Sequence, residues 1–184
     1  DKHNNMMKYL ITIIFIFLNC FLFAQLQKEV DPFTKANISY VDKNYTLLSK
    51  MVANVQISRA ERVQTDSIKF FYRIYIKIYL NTSFCFDENG GIVLLKEDDT
   101  QLILSPNSTK CSNIKCGGGQ CTHLIVLTSK INAQDFFALK DKHIKAIRLN
   151  TTNGFSNFEI DSERYQTNFS RLVENFSEFE DDIK

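Results

Sequence analysis

Three cysteines, Cys111, Cys116 and Cys121, stand five residues apart in CSNIKCGGGQC, with a triple glycine before the last and His123 two positions after it. Three chemistries use such a set. Thiolates of Cys111, Cys116 and Cys121 with the His123 imidazole would make a Cys3His zinc site, although structural zinc takes C-x2–4-C pairs and the spacing here is at the edge of that range. A Cys121–His123 pair would be a nucleophile with its base. Same-face neighbours on a strand lie roughly 6.5 to 7 Å apart, however, too far for a thiolate–imidazole hydrogen bond. The third chemistry is oxidation. Together with Cys85 the set numbers four, an even count that predicts two disulfides in an oxidising compartment, with three connectivities open. We expect one bridge to tie the Cys85 strand to the loop and the other to close the loop on itself, using Gly117 to Gly119 for the sharp turn.

Other catalytic vocabulary is sparse. Beyond the N-terminal segment the histidines are His123 and His143, and the chain has no G-x-S-x-G, H-E-x-x-H, Walker or dinucleotide fingerprint. His143, within KDKHIK, reads as a solvated turn residue. The acidic pairs Asp87-Glu88 and Asp98-Asp99 fall at expected hairpin ends, and Asp87-x-Asn89-x-Gly91 lacks the central glycine and terminal glutamate of an EF-hand loop. No cofactor is called for.

A different chemistry is offered by Lys69, Phe71, Arg73, Tyr75, Lys77 and Tyr79, which alternate basic and aromatic on one parity of SIKFFYRIYIKIYL. Such a row can stack rings while its cations hold anionic groups. The competing expectation is that the rings pack under a helix or second sheet while the cations snorkel outward. If the row binds, an anionic glycan or peptide suits it better than nucleic acid, and the absence of Trp weakens the sugar case.

The compartment is read from the N-terminus. Lys8, the apolar run from Tyr9 to Leu18, the patch from Phe21 to Phe23 and Ala24 before Gln25 have the layout of a secretory signal peptide. The run is shorter than the roughly 20 residues of a membrane span, so no span is expected after cleavage. Residues 1–24 are therefore read as extension and signal, and residues 25–184 as one exported domain of the periplasm or cell surface. Of 22 basic and 21 acidic residues, residues 1–24 hold Lys2, Lys8 and Asp1, leaving 20 of each sign. No global field then favours nucleic acid or an anionic membrane.

Elements follow from periodicity. Ile68, Phe70, Tyr72, Ile74, Ile76, Ile78 and Leu80 fill the second parity of the long strand and give it one apolar face. FCFDENGGIVLL and IVLLKEDDTQLIL read as two consecutive hairpins, YTLLSKMVANVQI as one more strand, and HLIVLT as a short buried strand. Gln25 to Lys43 is a lead-in whose Phe33 and Ile38 touch the core. Asn132 caps a short helix with Asp135 at its third position, facing Phe136, Phe137 and Leu139 inward, and IKAIRLN returns as a strand. From Asp161 or Ser162, the spacing of Tyr165, Phe169, Leu172, Val173, Phe176 and Phe179 predicts one amphipathic helix of about four turns. The expected fold is α+β: an antiparallel, meander-rich, curved or doubled sheet with a short helix and a C-terminal amphipathic helix packed on it.

In the order EVDPFT, Tyr-rich strand, DENGG, LTSKINAQDFFALKDKHIKAIRL and closing helix, the chain resembles uncharacterised small exported proteins of Bacteroidota, a resemblance that implies export and lends no activity. The leading functional expectation is a non-enzymatic binding or structural module with a protein, peptide or anionic glycan as partner. The alternatives are a hydrolase built from scattered carboxylates and His123, or a small zinc protein using Cys111, Cys116, Cys121 and His123.

Overall fold

The structure, a computed structural model, describes residues 26–65, 70–117 and 120–183. The segment read as a signal peptide, Lys69 with Ile68, and Gly118 with Gly119 lie outside the described residues.

From the N-terminus come β1 (Gln27–Val30), β2 (Asn37–Val41), β3 (Tyr45–Lys50), β4 (Ala53–Gln64) and β5 (Phe70–Leu80). A two-residue strand β6 (Cys85–Phe86) precedes β7 (Gly91–Lys96) and β8 (Gln101–Leu104), and β9 (Lys110–Cys111), β10 (Asn113–Gly117) and β11 (Gln120–Ile131) follow. Helix α1 (Ala133–Phe137), strands β12 (Ile144–Thr151) and β13 (Gly154–Glu159), helices α2 (Glu163–Gln166) and α3 (Asn168–Glu174), and a 3-10 segment (Ser177–Ile183) complete the chain. The large sheet has the order β1-β2-β4-β5-β11-β10 with β3 also on β4; the second has the order β13-β12-β7-β8, and β6 pairs with β9. The architecture is the expected α+β one.

Strand β5 shows why. Its β-branched and aromatic residues suit a pleated surface, and Tyr72, Ile74, Ile76 and Ile78 are all fully buried on one parity. Ile57 and Val55 of β4 and Ile125 and Leu127 of β11 join them, and Ile92, Leu94, Leu104, Ile147 and Leu149 of the second sheet complete one hydrophobic cluster. The helices close this inner side. Tyr72 stacks on Phe136 at 4.1 Å and meets Phe137 and Phe176 edge-on at 5.5 and 5.7 Å. As expected, Asn132 caps α1, its Oδ1 accepting from the Asp135 N–H at 2.7 Å.

One irregularity in β4 governs everything on the other side. Ile57 pairs with Ile76 but Arg59 pairs with Tyr75, so Ser58 is an extra residue, a β-bulge. Because side chains alternate faces, one extra residue exchanges the faces downstream. Val55 and Ile57 point inward, and after the bulge Ala60 takes that role while Arg59, Glu61 and Val63 turn outward.

Several local expectations are corrected. The DENGG turn forms, with Gly90 N–H on the Asp87 carbonyl at 3.1 Å, yet β6 pairs with β9 and not with β7. The Cys85 carbonyl is taken by Thr152 N–H at 2.9 Å, and the two glycines serve close approach: a Cβ would lie 2.8 Å from Asn150 O at Gly90 and 2.4 Å from Leu104 O at Gly91. The β7–β8 hairpin does form, with Asp98 and Asp99 at its tip. YTLLSKMVANVQI is a hairpin, β3–β4, whose turn residues Met51 and Val52 are exposed apolar side chains that carry no turn signal. The lead-in contributes β1 and β2, and Phe33 is 93% exposed because Asp31 Oδ1 accepts from Phe33 and Thr34 N–H and curls the turn outward. HLIVLT lies within the longer β11 and alternates faces, with Val126 exposed. The C-terminal helix is broken at Thr167, whose hydroxyl donates back to the Glu163 carbonyl at 3.2 Å. Phe169, Leu172, Val173 and Phe176 still face the core, all fully buried.

Candidate binding surface

Cysteine chemistry is settled first. Cys85 is bonded to Cys111 and Cys116 to Cys121, with Cα atoms 4.0 and 4.1 Å apart. The expected scheme holds in outline. The expected loop, however, is an antiparallel hairpin in which Cys116 faces Cys121 across β10 and β11, and the other bridge joins β6 to β9. Oxidised sulfurs supply no thiolate, so the zinc reading and the Cys121–His123 nucleophile both fail. Among the described residues no cluster of His, Cys, Asp or Glu is placed to hold a metal. His123 pairs with Leu80 and Ile114, and its buried Nδ1 has no hydrogen-bond partner. Both bridges suit an oxidising compartment, and no helix among the described residues is long and apolar enough to cross a membrane.

The basic aromatic row lies on the outer face of the large sheet. Since α1 and α3 occupy the Tyr72 side, the row is not covered by the C-terminal helix, and Phe71, Arg73, Tyr75, Lys77 and Tyr79 are all half-buried. Adjacent strands widen it. Thr128, Val126 and Leu124 of β11 stand beside Tyr75, Lys77 and Tyr79, while Glu61, Arg59, Gln56 and Asn54 of β4 stand beside Arg73, Tyr75, Lys77 and Tyr79.

One end of this face is closed on itself. Glu61, 4% exposed, accepts from Arg59 Nε at 2.7 Å, from Arg73 Nη1 at 3.1 Å and from the Tyr75 hydroxyl at 3.1 Å. Arg59 also lies 3.9 Å from the Tyr40 ring centre and 3.3 Å from Glu29, and Lys130 sits 4.0 Å over Phe71. Burial lowers the pKa of Arg73, but the Tyr75 hydrogen bond and the Glu61 charge outweigh it, so the net shift is upward and the guanidinium stays charged. Each of the four side chains there has a partner.

The other end is open. Lys77 and Tyr79 have no side-chain hydrogen bond or ion pair among the described residues, and the buried Asn54 Oδ1, directly across from Tyr79, has no partner. Their neighbours on β4 are amides, Gln56 and Asn54, where Arg73 faces a carboxylate.

The remaining candidates are dispersed. Asp98 meets Lys142 at 2.8 Å, Asp99 meets Lys145, and Glu97 meets His143 Nδ1 at 3.2 Å, so the β7–β8 tip is latched to the approach to β12. Asp87 serves its own turn through Asn89 N–H at 3.0 Å. A concavity of about 560 Å³ lies between the start of β3 and the C-terminal helices, and its lining includes one carboxylate, Glu174, among three cations. It contains neither the paired carboxylates nor the His123 that the hydrolase reading requires. No sequence pattern pointed to this concavity, because its residues come from opposite ends of the chain and none forms a motif.

No family model, curated protein or solved structure matches this chain, and its function is therefore read from its own geometry.

Proposed function

We propose that the chain is an exported, non-enzymatic binding module that offers the open end of the β4–β5–β11 face to an anionic glycan or peptide. The observation that carries this reading is that Lys77, Tyr79 and Asn54 Oδ1 have no side-chain partner among the described residues, on a sheet face that the helices leave bare. A half-buried cation beside an aromatic ring gives an acidic, ring-bearing or planar ligand both charge and a stacking surface. The saturated Glu61 cluster next to it holds the strands in place, so little ordering accompanies binding. Export is supported by the signal-like N-terminus and by the two disulfides.

Binding of polygalacturonate, with neutral dextran as control, measures this directly. Wild-type protein should bind the acidic polymer, less tightly as salt rises. The double variant Lys77→Ala, Tyr79→Ala should bind roughly tenfold or more weakly, a loss of about 1.4 kcal/mol, with an unchanged melting temperature. Equal binding of dextran, or a double variant that binds like wild type, would exclude this surface.

A further inference from the structure

The concavity between β3 and the C-terminal helices is independent of the sheet face. Lys43, Arg164 and Arg171 line it against Glu174 alone among acids. None of these three cations has a carboxylate within ion-pair distance among the described residues, whereas Lys50, Lys140, Lys142 and Lys145 all do. Residues 25–184 carry equal numbers of the two signs, so this local excess is not a property of the chain at large. An anion placed in the hollow would meet an excess of positive charge along its lining.

The polar groups beneath the cations are ordered. Asn168, 5% exposed, donates from Nδ2 to the Thr46 carbonyl and turns Oδ1 to Arg171 Nη1 at 3.5 Å. Asn175 Nδ2 donates to the Tyr45 hydroxyl oxygen at 3.1 Å, which leaves the phenolic proton free to donate in turn. Burial pushes the Tyr45 pKa above its ordinary value, against the pull of that hydrogen bond, so the proton stays in place at neutral pH. Lys43 Nζ stands 5.6 Å from the centre of the same ring. The hollow thus offers a charged rim for one anionic group and a floor of amides and a phenol for hydroxyls. Its volume is within the range of roughly 300 to 1,000 Å³ of small-ligand sites.

We infer that this concavity is a second binding site, for a small hydroxylated anion of the sugar-acid or sugar-phosphate class. The chemistry shared by the two sources is one anionic group on a polyhydroxylated ring. It does not rest on the sheet-face reading, and either site can fail without the other.

Calorimetric titration of the full chain with D-glucuronate, glucose 6-phosphate and neutral glucose tests it. Binding of one or both anions in preference to glucose is the expected result, and the tighter of the two identifies the anionic group. Lys43→Gln with Arg164→Gln should weaken that binding at least roughly tenfold, since charge-assisted contacts are the strong ones, at an unchanged melting temperature. Lys77→Ala, Tyr79→Ala should leave it intact. The proposal is overturned if no anion binds, if glucose binds equally well, if the Lys43/Arg164 variant binds like wild type, or if only the sheet-face variant loses binding.

Discussion

Two ends of one sheet face, built from the same strand and the same residue types, behave differently. At one end Arg73 and Tyr75 converge with Arg59 on Glu61, and every group has a partner. At the other, Lys77 and Tyr79 face Gln56 and Asn54 and have no side-chain partner among the described residues. The difference comes from β4. Its bulge at Ser58 brings a carboxylate to the outer face beside Arg73 and leaves amides beside Lys77, so a basic aromatic row becomes scaffold where an acid answers it and surface where none does.

Removing the acid should break the contrast with the largest effect. Glu61→Ala removes the carboxylate shared by Arg59 and Arg73, leaving Arg59 only Glu29 at 3.3 Å and Arg73 only the Tyr75 hydroxyl at 3.1 Å; with side chains 27% and 31% exposed they can still reach water, so the loss is smaller than for a fully buried pair. We expect about 1 to 3 kcal/mol of destabilisation by denaturant titration. The freed guanidiniums should also tighten binding of polygalacturonate. Unchanged stability together with unchanged binding would mean that Glu61 does not hold this end closed.

Transplanting the acid is the milder converse. Gln56→Glu places a carboxylate across from Lys77 and should change stability by only about 0.2 to 1 kcal/mol, the range of a cross-strand pair. Polyanion binding should nevertheless fall several-fold. A variant that binds as well as wild type would place the ligand elsewhere.

Much of the fold was legible because it rests on local rules. The parity of β5, the Asn132 cap and the apolar stripe from Phe169 to Phe176 each follow from periodicity or capping within a few residues, and an even cysteine set favoured bridges over metal. What escaped the sequence depends on distant partners. Nothing between Val55 and Val63 announces that Ser58 will be unpaired, and the β6–β9 pairing is decided by Thr152 and by the strands against which Gly90 and Gly91 pack. The break at Thr167 is a hydroxyl competing with the helix ladder, which an apolar stripe does not reveal. Of the candidate surface, the row itself was visible, but its division into closed and open ends needs the register of β4. The concavity needed Lys43 and Arg164, far apart in sequence, to line one hollow.

The latch at the β7–β8 tip gives the molecule a defined acid limit. The Lys142 ammonium, and then Thr100, hold the Asp98 carboxyl well below its ordinary value of 3.8, and in return Asp98 raises Lys142 above 10.5. A depressed carboxyl contributes stability above its unfolded value and loses it as pH falls through the folded one; a raised ammonium contributes below its unfolded value and loses it as pH rises through the folded one. The Asp98–Lys142 contact is therefore a plateau across the neutral range, eroding below about pH 4 and above about pH 10. Because both groups are exposed, that erosion should free the hairpin tip locally while the core stays folded. Amide exchange at Asp99 and Thr100, followed from pH 6 to pH 3 and corrected for intrinsic rates, should report it. Protection that does not fall with pH, or that falls equally in Asp98→Asn, would show that the Asp98–Lys142 pair does not hold the tip.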